Sequence, residues 1–158
     1  MNKEITQTEN FIVFAVEKPH VSREDGGHIM IVPKVKISDR TELEPKLAVE
    51  VIRLTMIVGE AMTTAMNSRG VDIGRINYQD NGNWSVFKPE GPYFHIHLYG
   101  RAKSAKINKW GDACFFPQRS TGFYDNFIPF NEDDIEEIRK EIKVIMEKDK
   151  YQDQEWHL

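Results

Sequence analysis

The first hundred residues alternate short apolar runs with clusters of turn formers. Phe11-Ile-Val-Phe-Ala-Val16 is apolar and partly β-branched, which predicts a strand. Residues 17–27 carry Pro19, Ser22, Asp25 and the pair Gly26 and Gly27, the composition of a surface loop. A second strand is expected over 28–32, stopped by Pro33, which has no N–H to give to a sheet ladder. Over 42–68 the period changes. Leu43, Leu47, Val51, Leu54, Val58, Met62 and Met66 recur at steps of three or four, the stripe of an amphipathic helix. Pro45 fits its first turn and Gly70 its end. Strands follow over 71–78 and 93–99, separated by the Asp80-Asn81-Gly82-Asn83 turn cluster and a loop with Pro89 and Gly91.

Residues 102–130 have no clear period but hold Trp110, Phe115, Phe116, Phe123, Tyr124 and Phe127, so the segment is expected to pack on the body. A last helix runs from about Glu132 to Lys148, with Asn131 as its N-cap, acidic residues in its first turn, and Ile135, Ile138, Ile142 and Ile145 as its buried stripe. Residues 149–158 read as a loose tail. The elements lack a repeating βαβ rhythm. The expectation is an α+β fold with a mostly antiparallel sheet, one long helix and a C-terminal helix. Residues 1–130 form one domain in this reading, and 131–158 the added helix and tail.

Composition narrows the function. The 158 residues are 40% hydrophobic and 29% charged, enough apolar material for one core. The formal net charge of -4 argues against a nucleic-acid coat and leaves a local basic site open. Cys114 is the one cysteine, so no disulfide and no CxxC metal site can form within the chain, and a cytoplasmic protein is expected. No apolar run approaches the length of a membrane span.

The chemistry concentrates in Tyr93-Phe-His-Ile-His-Leu-Tyr99. Alternate residues of a strand share a face, so Tyr93, His95, His97 and Tyr99 stand together while Phe94, Ile96 and Leu98 turn to the core. Taken alone, the two histidines fit an ordinary amphipathic strand equally well. As a metal site they would need a third ligand that the following residues do not offer.

The flanks add a resemblance. Gly91-Pro-Tyr-Phe-His-Ile-His-Leu-Tyr-Gly-Arg101 resembles the signature of the histidine triad superfamily, in which three histidines alternate with apolar residues. Tyr93 takes the first position, His95 the middle and His97 the last. Gly27-His-Ile-Met-Ile-Val-Pro-Lys34 is similar to the family's second motif, and the long helix, strand and Asn-Gly turn follow in the family's order.

The resemblance implies a nucleotide hydrolase or nucleotidyl transferase in which His95 attacks the α-phosphorus of a dinucleoside polyphosphate or nucleoside phosphoramidate. His97 would stabilise the phosphate charge, and the Tyr93 carbonyl would fix the His95 tautomer. Asn81, Tyr93, Lys36 and Arg101 would bind substrate. No cofactor is required, although Mg²⁺ is compatible with a polyphosphate, and a homodimer is expected, with the long helix and an edge strand in contact. The partner is a small nucleotide, with no nucleic acid and no membrane. Two departures, Tyr93 for the first histidine and Lys36 where many members carry histidine, motivate an alternative: a nucleotide-binding module with weak or no catalysis.

Overall fold

The computed structural model describes residues 1–158. Five strands form one antiparallel sheet: β1 (Lys3–Gln7), β2 (Phe11–Ala15), β3 (His28–Pro33), β4 (Ile73–Gln79) and β5 (Ile96–Ala102), in spatial order β1-β2-β3-β5-β4. The long helix α1 (Pro45–Ser68) connects β3 to β4 and packs on one face of the sheet. A second helix, α2 (Glu132–Met146), lies beside α1 and reaches β1. The α+β expectation holds. No helix is long and apolar enough to cross a membrane.

Strand alternation decides which face is which. Phe11, Val13 and Ala15 of β2, Ile29 and Ile31 of β3, and Ile96 and Leu98 of β5 point toward the helices. They meet Leu54, Val58, Met62 and Met66 of α1 and Ile135, Ile138, Ile142 and Ile145 of α2 in one continuous core. Each fully buried Leu, Ile or Met contributes roughly 1.5–3 kcal/mol by leaving water. Asn131 caps α2 through a capping box with Asp134, as the N-cap pattern predicts. The opposite face of the sheet carries the histidines, and residues from the segment after β5 pack over it.

Two features escape the hydrophobic pattern. The edge strand β1 is polar, with Ile5 as its only buried residue, so no alternation marks it. The tail is not loose. Residues 149–151 form a 3₁₀ turn and Asp153–Trp156 a short helix, α3, with Tyr151 buried and donating to Glu60 at 3.1 Å, and Arg53 bound to Asp153 at 2.6 Å. These contacts with α1 provide the order that local sequence lacks.

One backbone crossing fixes the site. Gly26, at φ 130°, passes so close to Gly100 that a Cβ on either residue would lie 2.2 Å from the other's carbonyl oxygen. Both positions require glycine, and the crossing seats the loop before β3 against β5. The register then sets His28 opposite Tyr99 and Met30 opposite His97.

Candidate active site

The histidine face is built from β3, β5 and the extended residues leading into β5. The strand starts at Ile96, three residues after the site's first ring, Tyr93, and the Phe94 N–H donates to the Ile37 carbonyl at 2.7 Å. The extended backbone still keeps the alternation. Tyr93 stacks on His95 with ring centres 4.4 Å apart, His95 meets His97 edge-on at 4.5 Å, and His97 stacks near Tyr99 at 5.4 Å. Phe94, Ile96 and Leu98 are in the core behind them.

Four histidines gather here. The His20 backbone N–H approaches His28 Nδ1 at 3.2 Å, and His28 Nε2 lies 2.8 Å from His97 Nδ1. His97 Nε2 lies 2.9 Å from His95 Nε2, and His95 Nδ1 lies 2.9 Å from the Tyr93 carbonyl oxygen. The two ends of this row fix every proton in it. A backbone amide can only donate, so His28 Nδ1 accepts and its Nε2–H donates to His97 Nδ1. His97 Nε2 then carries the hydrogen and donates to His95 Nε2. At the far end a carbonyl can only accept, so His95 Nδ1–H donates to Tyr93. With one proton per neutral ring, the bonds run in one direction without conflict. His95 Nε2 is therefore a lone pair, the form a nucleophile needs.

The electrostatics agree with neutral rings. Burial, then the neighbouring His95 and His20, push the His97 pKa down to about 3. Burial and the Arg119 charge push His20 down to about 4. His28 is lowered well below its ordinary value, chiefly by burial. Burial also lowers His95, partly offset by its bond to the Tyr93 carbonyl.

These rings border a cavity of about 570 Å³, within the range of small-molecule sites. His20, His28, Tyr93, His95 and His97 line it, with Asn81, Ser85, Trp84 and Lys88 from the β4–β5 connection. Phe116, Arg119 and Tyr124 come from the segment after β5. Asn81 Nδ2 also donates to Tyr99 Oη at 3.4 Å. The imidazole nitrogens of His28, His95 and His97 face one another in pairs rather than a common point where a metal would sit.

Two residues expected to bind substrate stand apart. Arg101 does share the face of His97 and Tyr99, but the segment after β5 buries it. Its Nη2 donates to the carbonyls of Lys109 and Asp112 at 2.9 and 2.8 Å, so it holds that segment in place and does not line the cavity. Lys36 follows the end of β3 and donates to the Glu90 carbonyl at 2.6 Å, in a separate groove. It braces the approach to Tyr93 from outside. Conversely, His20, His28, Trp84 and Arg119 belong to the cavity, and sequence reasoning did not place them in it. For His28 there was a signal: it opens a strand on the face opposite Ile29 and Ile31. For the loop residue His20 there was none.

Neither the family models nor the curated proteins compared with the sequence match it. Solved structures do. A hypothetical histidine triad nucleotide-binding protein from Sulfolobus tokodaii superposes with a TM-score of 0.61 at 14% identity, over 94% of this chain and 89% of that one. A histidine triad protein from Sinorhizobium meliloti gives a TM-score of 0.61 at 16% identity, over 90% and 88%. A zinc-bound histidine triad family protein from Mycobacterium smegmatis gives 0.57 at 17%, over 90% and 84%. Strand order, long helix and histidine-bearing strand together give this chain the histidine triad fold.

Proposed function

We propose that the chain is a nucleotide hydrolase or nucleotidyl transferase that works through His95. The observation that carries this reading is the directed row of neutral imidazoles ending in a lone pair on His95 Nε2 at the wall of the cavity. A phosphate entering there accepts the His97 Nε2–H on a non-bridging oxygen, in place of His95. That exchange frees the lone pair and sets a donor against the charge that grows on phosphorus. His95 Nε2 forms a bond to the α-phosphorus, and the bond to the leaving group breaks with its electrons. A leaving phosphate needs no proton near neutrality; a leaving amine takes one from solvent. Water or another acceptor then attacks phosphorus, the N–P electrons return to Nε2, and the acceptor's proton is released. The nucleophile needs no metal, since the tautomer alone supplies the lone pair; Mg²⁺ can accompany a polyphosphate.

The Tyr93 substitution does not remove the group that orients His95, because that group is a backbone carbonyl. This favours turnover over a binding-only module. The Sulfolobus tokodaii structure, described as nucleotide-binding, lends support at the level of fold.

The test uses diadenosine polyphosphates and adenosine phosphoramidate with wild type and His95→Ala. Products are quantified, and the nucleotidyl adduct is sought by intact mass under alkaline denaturation, which preserves phosphohistidine. Turnover and adduct in wild type, both lost in His95→Ala, support the proposal. Equal turnover in the variant rejects it. AMP binding without turnover or adduct leaves only the binding module.

A further inference from the structure

We propose that Arg119 forms a second anion subsite in this cavity, which selects substrates carrying a further phosphate beyond the one at His95. The inference rests on the nucleotide reading above and deepens it: the preferred substrates are nucleoside polyphosphates and dinucleoside polyphosphates rather than phosphoramidates of uncharged amines.

The neutral histidines leave the site short of positive charge. The cations lining the cavity are Lys88, from the β4–β5 connection, and Arg119, which bonds His20. The Lys88 charge bears on His95, whereas the Arg119 charge bears on His20 and His28. A nucleotide whose α-phosphorus faces His95 shares the cavity with Lys88, and Arg119 is reached through His20, whose ring centre lies 6.1 Å from that of His97. A phosphate further along the chain can reach toward Arg119.

Arg119 is also held ready. It opens the 3₁₀ turn Arg119–Thr121 in the segment that packs over the histidine face. Its Nη2 donates to the Lys18 carbonyl at 2.7 Å and to His20 Nε2 at 2.9 Å, and its guanidinium lies 5.0 Å from the centre of the Tyr124 ring. These contacts orient the plane of the group while Nε and Nη1 make no hydrogen bond within the protein and the residue stays exposed. The free N–H groups on Nε and Nη1 lie on different edges of the guanidinium, so either can give a phosphate oxygen one charge-assisted hydrogen bond. The acceptance of an Arg119 proton by His20 Nε2 also keeps His20 neutral, so Arg119 itself supplies the charge at this end.

Calorimetry with AMP, ATP and inorganic tripolyphosphate, at one fixed salt concentration, tests the subsite in wild type, Arg119→Gln, Arg119→Lys and Lys88→Ala. Wild type is expected to bind ATP more tightly than AMP. Arg119→Gln should weaken ATP and tripolyphosphate about tenfold or more and leave AMP within about twofold. Arg119→Lys should recover part of the loss, and Lys88→Ala should weaken AMP and ATP alike. The proposal is overturned if wild type binds ATP no better than AMP, or if Arg119→Gln leaves ATP binding unchanged. It is also overturned if Arg119→Gln weakens AMP and ATP equally, the mark of a merely structural role. Tripolyphosphate binding that depends on Arg119, without any AMP binding, would keep the anion subsite and discard the nucleotide reading.

Discussion

His95 and His97 point their Nε2 atoms at each other across 2.9 Å, with the hydrogen on His97. In the proposed reaction the pair is a nucleophile and its electrostatic partner. Because His28 of β3 sets the His97 tautomer and Tyr93, ahead of β5, sets that of His95, the two rings are oriented by different segments and can be separated by mutation. The backbone acceptor for His95 survives in His97→Ala. Removing one preorganised donor to a developing oxyanion costs roughly 10²- to 10³-fold in kcat. His97→Ala is therefore expected to form the nucleotidyl adduct that much more slowly, while AMP affinity changes by only a few fold. Single-turnover kinetics beside equilibrium binding would check this, and an unchanged adduct rate would remove His97 from the chemistry.

Acid should destabilise the fold before it reaches the carboxylates. An unfolded histidine ionises near pH 6.5, whereas His97 resists protonation until about pH 3 and His20 until about pH 4. Below pH 6.5 the unfolded chain binds more protons than the folded one. The stability held by neutral rings is thus complete above pH 6.5 and is lost as pH falls toward the folded values. For His97 the loss at pH 5 is about 2 kcal/mol, from roughly 1.4 kcal/mol per pH unit. Urea unfolding between pH 7.5 and 5 should show the decline, with a shallower slope in His97→Asn. A flat profile would mean that the rings are not buried neutral.

Asp134 ties the start of α2 to the end of α1 and to the loop before β3. Its carboxylate is fully buried at the start of α2 and accepts Arg23 Nε and Nη2 at 2.6 and 2.8 Å, and Arg69 from the end of α1. Burial pushes the carboxyl pKa up, but the Arg23 and Arg69 bonds and the Asn131 amide outweigh it and hold it below the ordinary value. Its stabilising contribution is present above the unfolded pKa and lost as pH falls through the folded one. Asp134→Asn leaves two guanidiniums without their buried partner and should cost about 3–5 kcal/mol. Thermal unfolding monitored by circular dichroism would measure it, and a variant as stable as wild type would contradict the role. Because Arg23 opens the turn that leads to Gly26, the loss should also loosen the loop before His28.

The elements legible in the sequence were those with a strong local period. The stripe over 42–68 became α1, the isoleucine stripe became α2, and strict alternation set Tyr93, His95, His97 and Tyr99 on one face. The polar edge strand β1 had no period to read, and the tail gains its order from α1 rather than from its own residues.

The sequence by itself determined that two imidazoles would face the same way from one strand, because the strand repeat is a property of the backbone. Tertiary structure alone decided that they would be neutral and directional. His20 and His28 come from a loop and a neighbouring strand, and the distances between their nitrogens and His97 depend on the register that the Gly26–Gly100 crossing locks. Arg101 shows the same division. Its position on the histidine face follows from alternation, but its burial follows from where residues 108–112 fold, so a residue that reads as a phosphate ligand became a loop anchor. Which charges meet the ligand depends on long-range packing, since burial and hydrogen-bond partners are set by residues far apart in the chain.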